Sequence, residues 1–138
     1  MLCNDSTLSE DDAKANPKYD AATANWGKKW RLPTDEEMRE IEKCNWRWEE
    51  VENSAGEKIA GYTVRCYNKN SIFFPAGGYY SNDTLIHKGT EGRYWSITPN
   101  AECKICATNT YFTEPQHNTG SFYYRFRGLN LRAVLVEN

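Results

Sequence analysis

The chain has 138 residues, enough for one domain with its own hydrophobic core, and aromatic residues make up 14% of it, so rings must supply much of the buried area. A net charge of −2 argues against general affinity for nucleic acid. No apolar run approaches the roughly 20 residues that cross a bilayer, and Met1-Leu2-Cys3 leads straight into acidic, polar residues, so neither direct membrane insertion nor a secretory leader is expected.

Residues 1–16 read as a polar lead-in, with one weak turn capped by Ser9. A helix is predicted from Pro17 to about Trp26, with Asn16 as its cap and Tyr19, Ala22 and Trp26 on one apolar stripe. Gly27 stops it. Trp30-Arg31-Leu32-Pro33 is an extended link, because a proline pushes its predecessor toward β geometry. Thr34-Asp35-Glu36-Glu37 is a capping box, and it opens a helix over about 35–44 with Met38, Ile41 and Cys44 inward. The charges of that helix are a solvated face, not a catalytic carboxylate pair.

From Trp46 onward the period changes to two. Tyr62, Val64 and Cys66 alternate with Thr63 and Arg65, Asn68-Lys69-Asn70 supplies a turn, and 61–74 reads as a hairpin. Pro75-Ala76-Gly77-Gly78 ends it, and a loop region is expected from Tyr79 to about Gly92. Short strands follow over 94–97, 108–113 and 122–126. The terminal strand carries Leu129, Leu131, Ala133 and Leu135 on one face and Val134 and Val136 on the other, which predicts a central place in a sheet. Two helices followed by many short strands in long loops form an α+β pattern, read as one domain over 1–138.

Charge is unevenly spread: residues 1–57 hold 14 acids against 8 bases, a balance of −6, while 58–138 hold 5 against 9, a balance of +4. The second part also holds 14 of the 19 aromatics, interleaved with Asn, Ser, Thr and Gly. That is the composition of an adaptable recognition surface, and equally that of a β-rich half. The five cysteines (Cys3, Cys44, Cys66, Cys103 and Cys106) follow no familiar framework. Cys103-Lys104-Ile105-Cys106 has zinc or redox spacing, but neither a second such pair nor paired histidines accompany it. Free thiols, or one incidental bridge, are the expectation, with no metal site.

Several blocks occur in a recognisable order: Asp20 to Thr34, Cys44-Asn45-Trp46-Arg47-Trp48, Asn70 to Tyr79, Tyr94 to Asn100, and Gly128 to Val134. Through them residues 17–136 resemble a bacterial family of lectin-like domains, the Fibrobacter succinogenes major paralogous domains, abundant in gut Bacteroidetes. The resemblance implies a C-type-lectin-like fold, with two helices packed on short twisted antiparallel strands joined by long loops. That fold is shared with formylglycine-generating enzymes and with the variable proteins of diversity-generating retroelements. Family members carry more chain upstream, including an early strand that pairs near the C terminus. Either that strand is lost, leaving an edge open to weak homodimerisation, or the opening segment substitutes for it.

Formylglycine generation needs reactive cysteines in the C-terminal part, and residues 107–138 hold none, so no enzymatic activity is expected. Calcium-dependent sugar binding needs clustered oxygen ligands. Glu114-Pro115-Gln116 resembles the short sugar motif of animal C-type lectins, but its Trp-Asn-Asp partner is absent and acids are scarce throughout 92–136. The variable-protein resemblance implies a display segment, here Arg93 to Arg127, where adenine-specific mutation of Asn codons would produce residues such as Cys103, Ile105, Cys106, Phe122, Tyr123, Tyr124 and Phe126. Tyr111, His117, Asn118, Phe122, Tyr123, Tyr124 and Phe126 are the candidate ligand contacts, with Arg93, Asn100 and Lys104 at the rim.

Alternation within 122–126 predicts that half of its rings point inward. Trp95, Trp26, Trp30, Leu32 and Ile41 are expected in the core. The partner class is a protein or glycan at a cell or phage surface, met by a monomer or weak homodimer without a cofactor. A calcium-assisted carbohydrate lectin using Glu114 and Asn118 is the alternative, and an oxidoreductase using Cys103 and Cys106 a third.

Overall fold

The computed structural model describes residues 20–100, 102–103 and 105–136, and order in it begins with a buried carboxylate. Asp20 adopts extended backbone and caps helix α1 (Ala21–Trp26), accepting from the amides of Ala22 at 2.9 Å and Thr23 at 3.3 Å. The same carboxylate accepts from the Leu32 amide through both oxygens, at 3.2 and 3.0 Å. One side chain thus ties the helix start to the end of strand β1 (Trp30–Arg31). The predicted cap Asn16 and first turn at Pro17 lie outside the described residues, and the observed helix starts at Ala21.

Helix α2 (Asp35–Glu42) opens with the predicted capping box: Thr34 Oγ1 accepts from the Glu37 amide at 3.1 Å, and the Thr34 amide donates to Glu37 Oε1 at 3.0 Å. Arg31 adds a two-pronged ion pair to Glu37 at 2.7 and 3.2 Å. The Glu37 carboxyl is partly desolvated, which raises its pKa, but the Arg31 and Thr34 hydrogen bonds outweigh this and hold it below its ordinary value.

Strands β2 (Asn45–Glu52), β3 (Lys58–Arg65) and β4 (Ser71–Pro75) form an antiparallel meander in that order. The predicted hairpin appears with Tyr62 opposite Phe74 and Val64 opposite Ile72. Its turn is held by the Cys66 amide donating to the Asn70 carbonyl at 3.1 Å, with Lys69 in left-handed backbone. The region expected to be loop from Tyr79 contains a second hairpin, β5 (Tyr79–Ser81) with β6 (Thr84–Ile86). The third sheet is the largest, with β7 (Glu91–Pro99), β8 (Cys106–Thr113) and β9 (Gln116–Tyr124) antiparallel and β8 central. β9 therefore begins six residues before the predicted 122–126 strand and leaves Phe126 beyond its end.

The C-terminal segment departs most from expectation. Only β10 (Val134–Leu135) is strand, paired with β1 in a two-stranded ladder and not central. Residues 129–133 instead lie along β7: the Asn130 amide donates to the Arg93 carbonyl at 3.0 Å and the Trp95 amide to the Asn130 carbonyl at 3.2 Å. Leu129, Leu131 and Ala133 cover one face of the third sheet. The apolar run is an edge segment bridged to β7 through Asn130, and its alternate side chains reach the core on one face of the sheet.

The third sheet consequently lies between two cores. On one face Tyr94 and Phe112 join Met38, Tyr62, Val64, Phe74 and Ala76 from α2 and the meander. On the other, Trp95, Ile97 and Ala107 join Ala22 and Leu32. Alternation along β7 sends Tyr94 one way and Trp95 and Ile97 the other. Gly92 is required, because the Phe112 ring occupies the space where its Cβ would be. Ile41 is half-buried against the first core. Trp26 and Trp30, expected inside, are 54% and 39% exposed, because α1 buries Ala22 and its short turn throws Trp26 outward.

Two disulfides, Cys44–Cys66 and Cys103–Cys106, replace the expected free thiols or single bridge. Cys3 lies outside the described residues. Cys44–Cys66, with a separation of 22, joins the end of α2 to the end of β3. Closing a loop of that length stabilises the fold by about 3 kcal/mol on the chain-entropy account.

Asp20→Ala removes a helix cap and leaves the buried Leu32 amide without its acceptor, so we expect a loss of about 3 kcal/mol in urea unfolding. A loss below about 1 kcal/mol would show that the α1–β1 junction does not rest on this carboxylate.

Candidate ligand-binding surface

Gly120 decides which side chains of β9 face which way. Asn109 pairs with Ser121 and Tyr111 with Asn118, so two β9 residues, Thr119 and Gly120, oppose Thr110 alone. Gly120 has φ 80°, the left-handed residue that such a bulge needs. Thr119 stays on the α2 side, where its hydroxyl meets that of Thr110 at 3.3 Å and its amide donates to Glu42 at 3.0 Å. Beyond the bulge the alternation is shifted by one residue. Asn118 and Tyr123, an odd number of positions apart, therefore share a side.

On one side stand Phe122, Tyr124 and Phe126, at 54%, 44% and 48% exposure. Tyr123 between them is half-buried and packs on the second core, and the Arg125 side chain is buried, as half-inward alternation predicted. The Tyr124 and Phe126 rings stack at 5.2 Å with 9° between planes, and the Arg127 guanidinium lies 5.0 Å from the Phe126 ring. Arg127 also donates to the Ser81 hydroxyl. Ile105 is exposed, and its carbonyl accepts from the Arg125 amide at 3.0 Å, which ties the loop before β8 to the end of β9. Ile105 belongs to the residues that the variable-protein resemblance implies for the display segment, but not to the candidate ligand contacts.

On the other side, Arg93 is clamped between rings, its guanidinium carbon 4.3 Å from the Tyr111 ring and 4.1 Å from the Tyr123 ring, with Tyr79 at 5.5 Å. Its Nε donates to Glu91 at 2.5 Å. Each partly desolvated cation–ring contact contributes about 1 kcal/mol. The Tyr123 hydroxyl raises the pKa of the neighbouring Tyr79 phenol by hydrogen bonding, with burial and the Glu91 charge acting in the same direction. Tyr79 and Glu91 lay outside the predicted site because the hairpin that brings Tyr79 there was read as loop.

The remaining candidates are dispersed. His117 stacks on Trp46 at 4.3 Å with 9° between planes and lies 3.8 Å from Glu42, at the junction of the meander and the third sheet. Asn118 is exposed opposite Tyr111. The Asn100 side chain accepts from the amides of Glu102 and Cys103, both at 2.9 Å, and so shapes the loop between β7 and β8. Lys104 lies outside the described residues. Glu114 and Pro115 form the tight turn between β8 and β9, held by the Tyr62 hydroxyl on the carbonyls of Thr113 and Glu114. Trp95, at 2% exposure, is core. Trp26 and Trp30 instead line a surface groove of about 610 Å³ with Leu131, Arg132 and Ala133. Among the described residues no group of three or more His, Cys, Asp and Glu side chains is placed to hold a metal, and no helix is long and apolar enough to cross a membrane.

Two outcomes follow from this geometry. Gly120→Ala forces a Cβ into left-handed backbone against Arg39, and should lower stability by about 1–2 kcal/mol in denaturant titration. Tyr123→Phe should return the Tyr79 phenol toward the ordinary 10.0, read by ultraviolet titration. A phenol with a raised pKa favours the folded state below its unfolded value, so the pair stabilises the protein below pH 10.0 and that contribution fades as pH rises through the raised value. Compared with protein families, curated proteins and solved structures, the chain matches none.

Proposed function

We propose that this chain is a non-enzymatic recognition domain with a C-type-lectin-like fold, which binds a protein or glycan at a cell or phage surface. The observation that carries this reading is the run Phe122, Tyr124, Phe126, whose rings stay solvent-facing while the strand that holds them is anchored by Tyr123 and Arg125. Rings on a fixed strand bind with little rotamer entropy to lose, and exposed apolar clusters of this kind mark interaction sites. The Arg93 clamp stiffens the same strand from its other side. The rings fall inside the 93–127 segment that resembles the diversified part of retroelement variable proteins, which supports the same role for it. Two disulfides suit an oxidising, exported setting.

The test uses a glycan array and immobilised bacterial surface protein, with the whole chain as probe. Phe122→Ala, Tyr124→Ala and Phe126→Ala combined should weaken any binding more than about 100-fold, as loss of ring hot spots does. The melting temperature should move by no more than about 3 °C, because the rings are already exposed in the free chain. Binding that survives the triple variant, or a chain that no longer folds, would overturn the reading.

A further inference from the structure

The two disulfides differ in what holds their cysteines in place. Cys44 and Cys66 flank a paired ladder, with Asn45 opposite Arg65 and continuous register behind them, and Cys44 packs on the first core. Breaking that bridge leaves both sulfurs where they were. Cys103 and Cys106 are separated by three positions and close a small loop between β7 and β8. The contacts that hold Cys103 are local: its carbonyl accepts from the Cys106 amide at 3.0 Å, and its amide donates to Asn100 at 2.9 Å. So short a loop also constrains the unfolded chain least, and is a poor device for stability.

The bridge lies beneath the exposed rings. Cys106 is directly opposite Tyr124, and opposed side chains share one side of the sheet. Exposed Ile105 sits inside the loop. The two sulfurs are unequal, because Cys103 is half-buried and Cys106 is 1% exposed. Arg125 Nε donates to the Cys106 carbonyl at 2.8 Å and so fixes the backbone, not the sulfur, of Cys106.

We propose that Cys103–Cys106 is a thiol-exchange site set under the aromatic face, distinct in role from the structural Cys44–Cys66 bridge. An external thiolate attacks Cys103 Sγ, forming a new S–S bond as the Cys103–Cys106 bond breaks and the electron pair leaves on Cys106 Sγ. A second thiolate then attacks the outer sulfur of the mixed disulfide and releases Cys103 as a thiolate. The bridge gains two electrons, and two external thiols become one disulfide. Once open, the bridge no longer closes the loop that holds exposed Ile105. The site does not depend on what the aromatic face binds.

Glutathione is the probe. The folded whole chain, in a Cys3→Ser background, is equilibrated across rising ratios of reduced to oxidised glutathione, blocked with N-ethylmaleimide and mapped by peptide mass spectrometry. We expect Cys103 and Cys106 to become labelled while Cys44–Cys66 stays closed and circular dichroism is unchanged. In Cys106→Ser, Cys103 should carry one glutathione per chain. Cys103–Cys106 staying closed at ratios that open Cys44–Cys66, opening only together with unfolding, or no adduct on Cys103 would each overturn the proposal.

Discussion

Trp95 lies where both faces of the β7–β8–β9 sheet are covered, and the rest of the molecule is arranged around that double burial. A strand buried on both sides must satisfy its polar groups within the sheet, because each unpaired one costs about 1–3 kcal/mol. Thr108 and Thr110 of β8 do this, Thr108 donating to the Thr98 carbonyl at 2.6 Å and bonding to Ser96 while Thr110 meets Thr119, whereas the buried Asn109 side chain between them finds no hydrogen-bond partner among the described residues. Helix α2 and the meander cover one side; α1 and residues 129–133 cover the other. Full burial of each large apolar side chain contributes about 1.5–3 kcal/mol. With both faces of the sheet packed near its middle, rings left over at the end of β9 have nowhere to go but outward.

The bulge at Gly120 sorts those rings. Before it, β9 is bound to α2 through Thr119; after it, Tyr123 turns to the second core and to Arg93, and Phe122 and Tyr124 turn to solvent. One residue of register is the difference between an aromatic face on the surface and a clamp on the inner side. The clamp and the face are therefore mechanically linked. Arg93, Tyr111 and Tyr123 fix the strand whose alternate side chains are available for contact.

The proposed recognition surface needs a rigid mount more than a large one. Asp20, the capping box at Thr34 and the Cys44–Cys66 bridge stiffen the frame. The loop closed by Cys103 and Cys106 is different, since it borders the rings and is held chiefly by its own short contacts.

The sequence by itself determined what is local. The Thr34 capping box, the turn at Asn68-Lys69-Asn70 and the α+β order of elements follow from side chains reaching backbone groups a few residues away, and those forces act whatever the rest of the chain does. The inward–outward alternation of 122–126 was legible for the same reason. That 129–133 lies at the edge beside β7 and not as a central strand, that Trp26 and Trp30 face solvent, and that Tyr79 and Glu91 join Arg93 came from long-range packing. Hydrophobic period states that a face is buried, not what buries it. That choice is made by partners tens of residues away, and a one-residue bulge changes it without changing the composition of the strand.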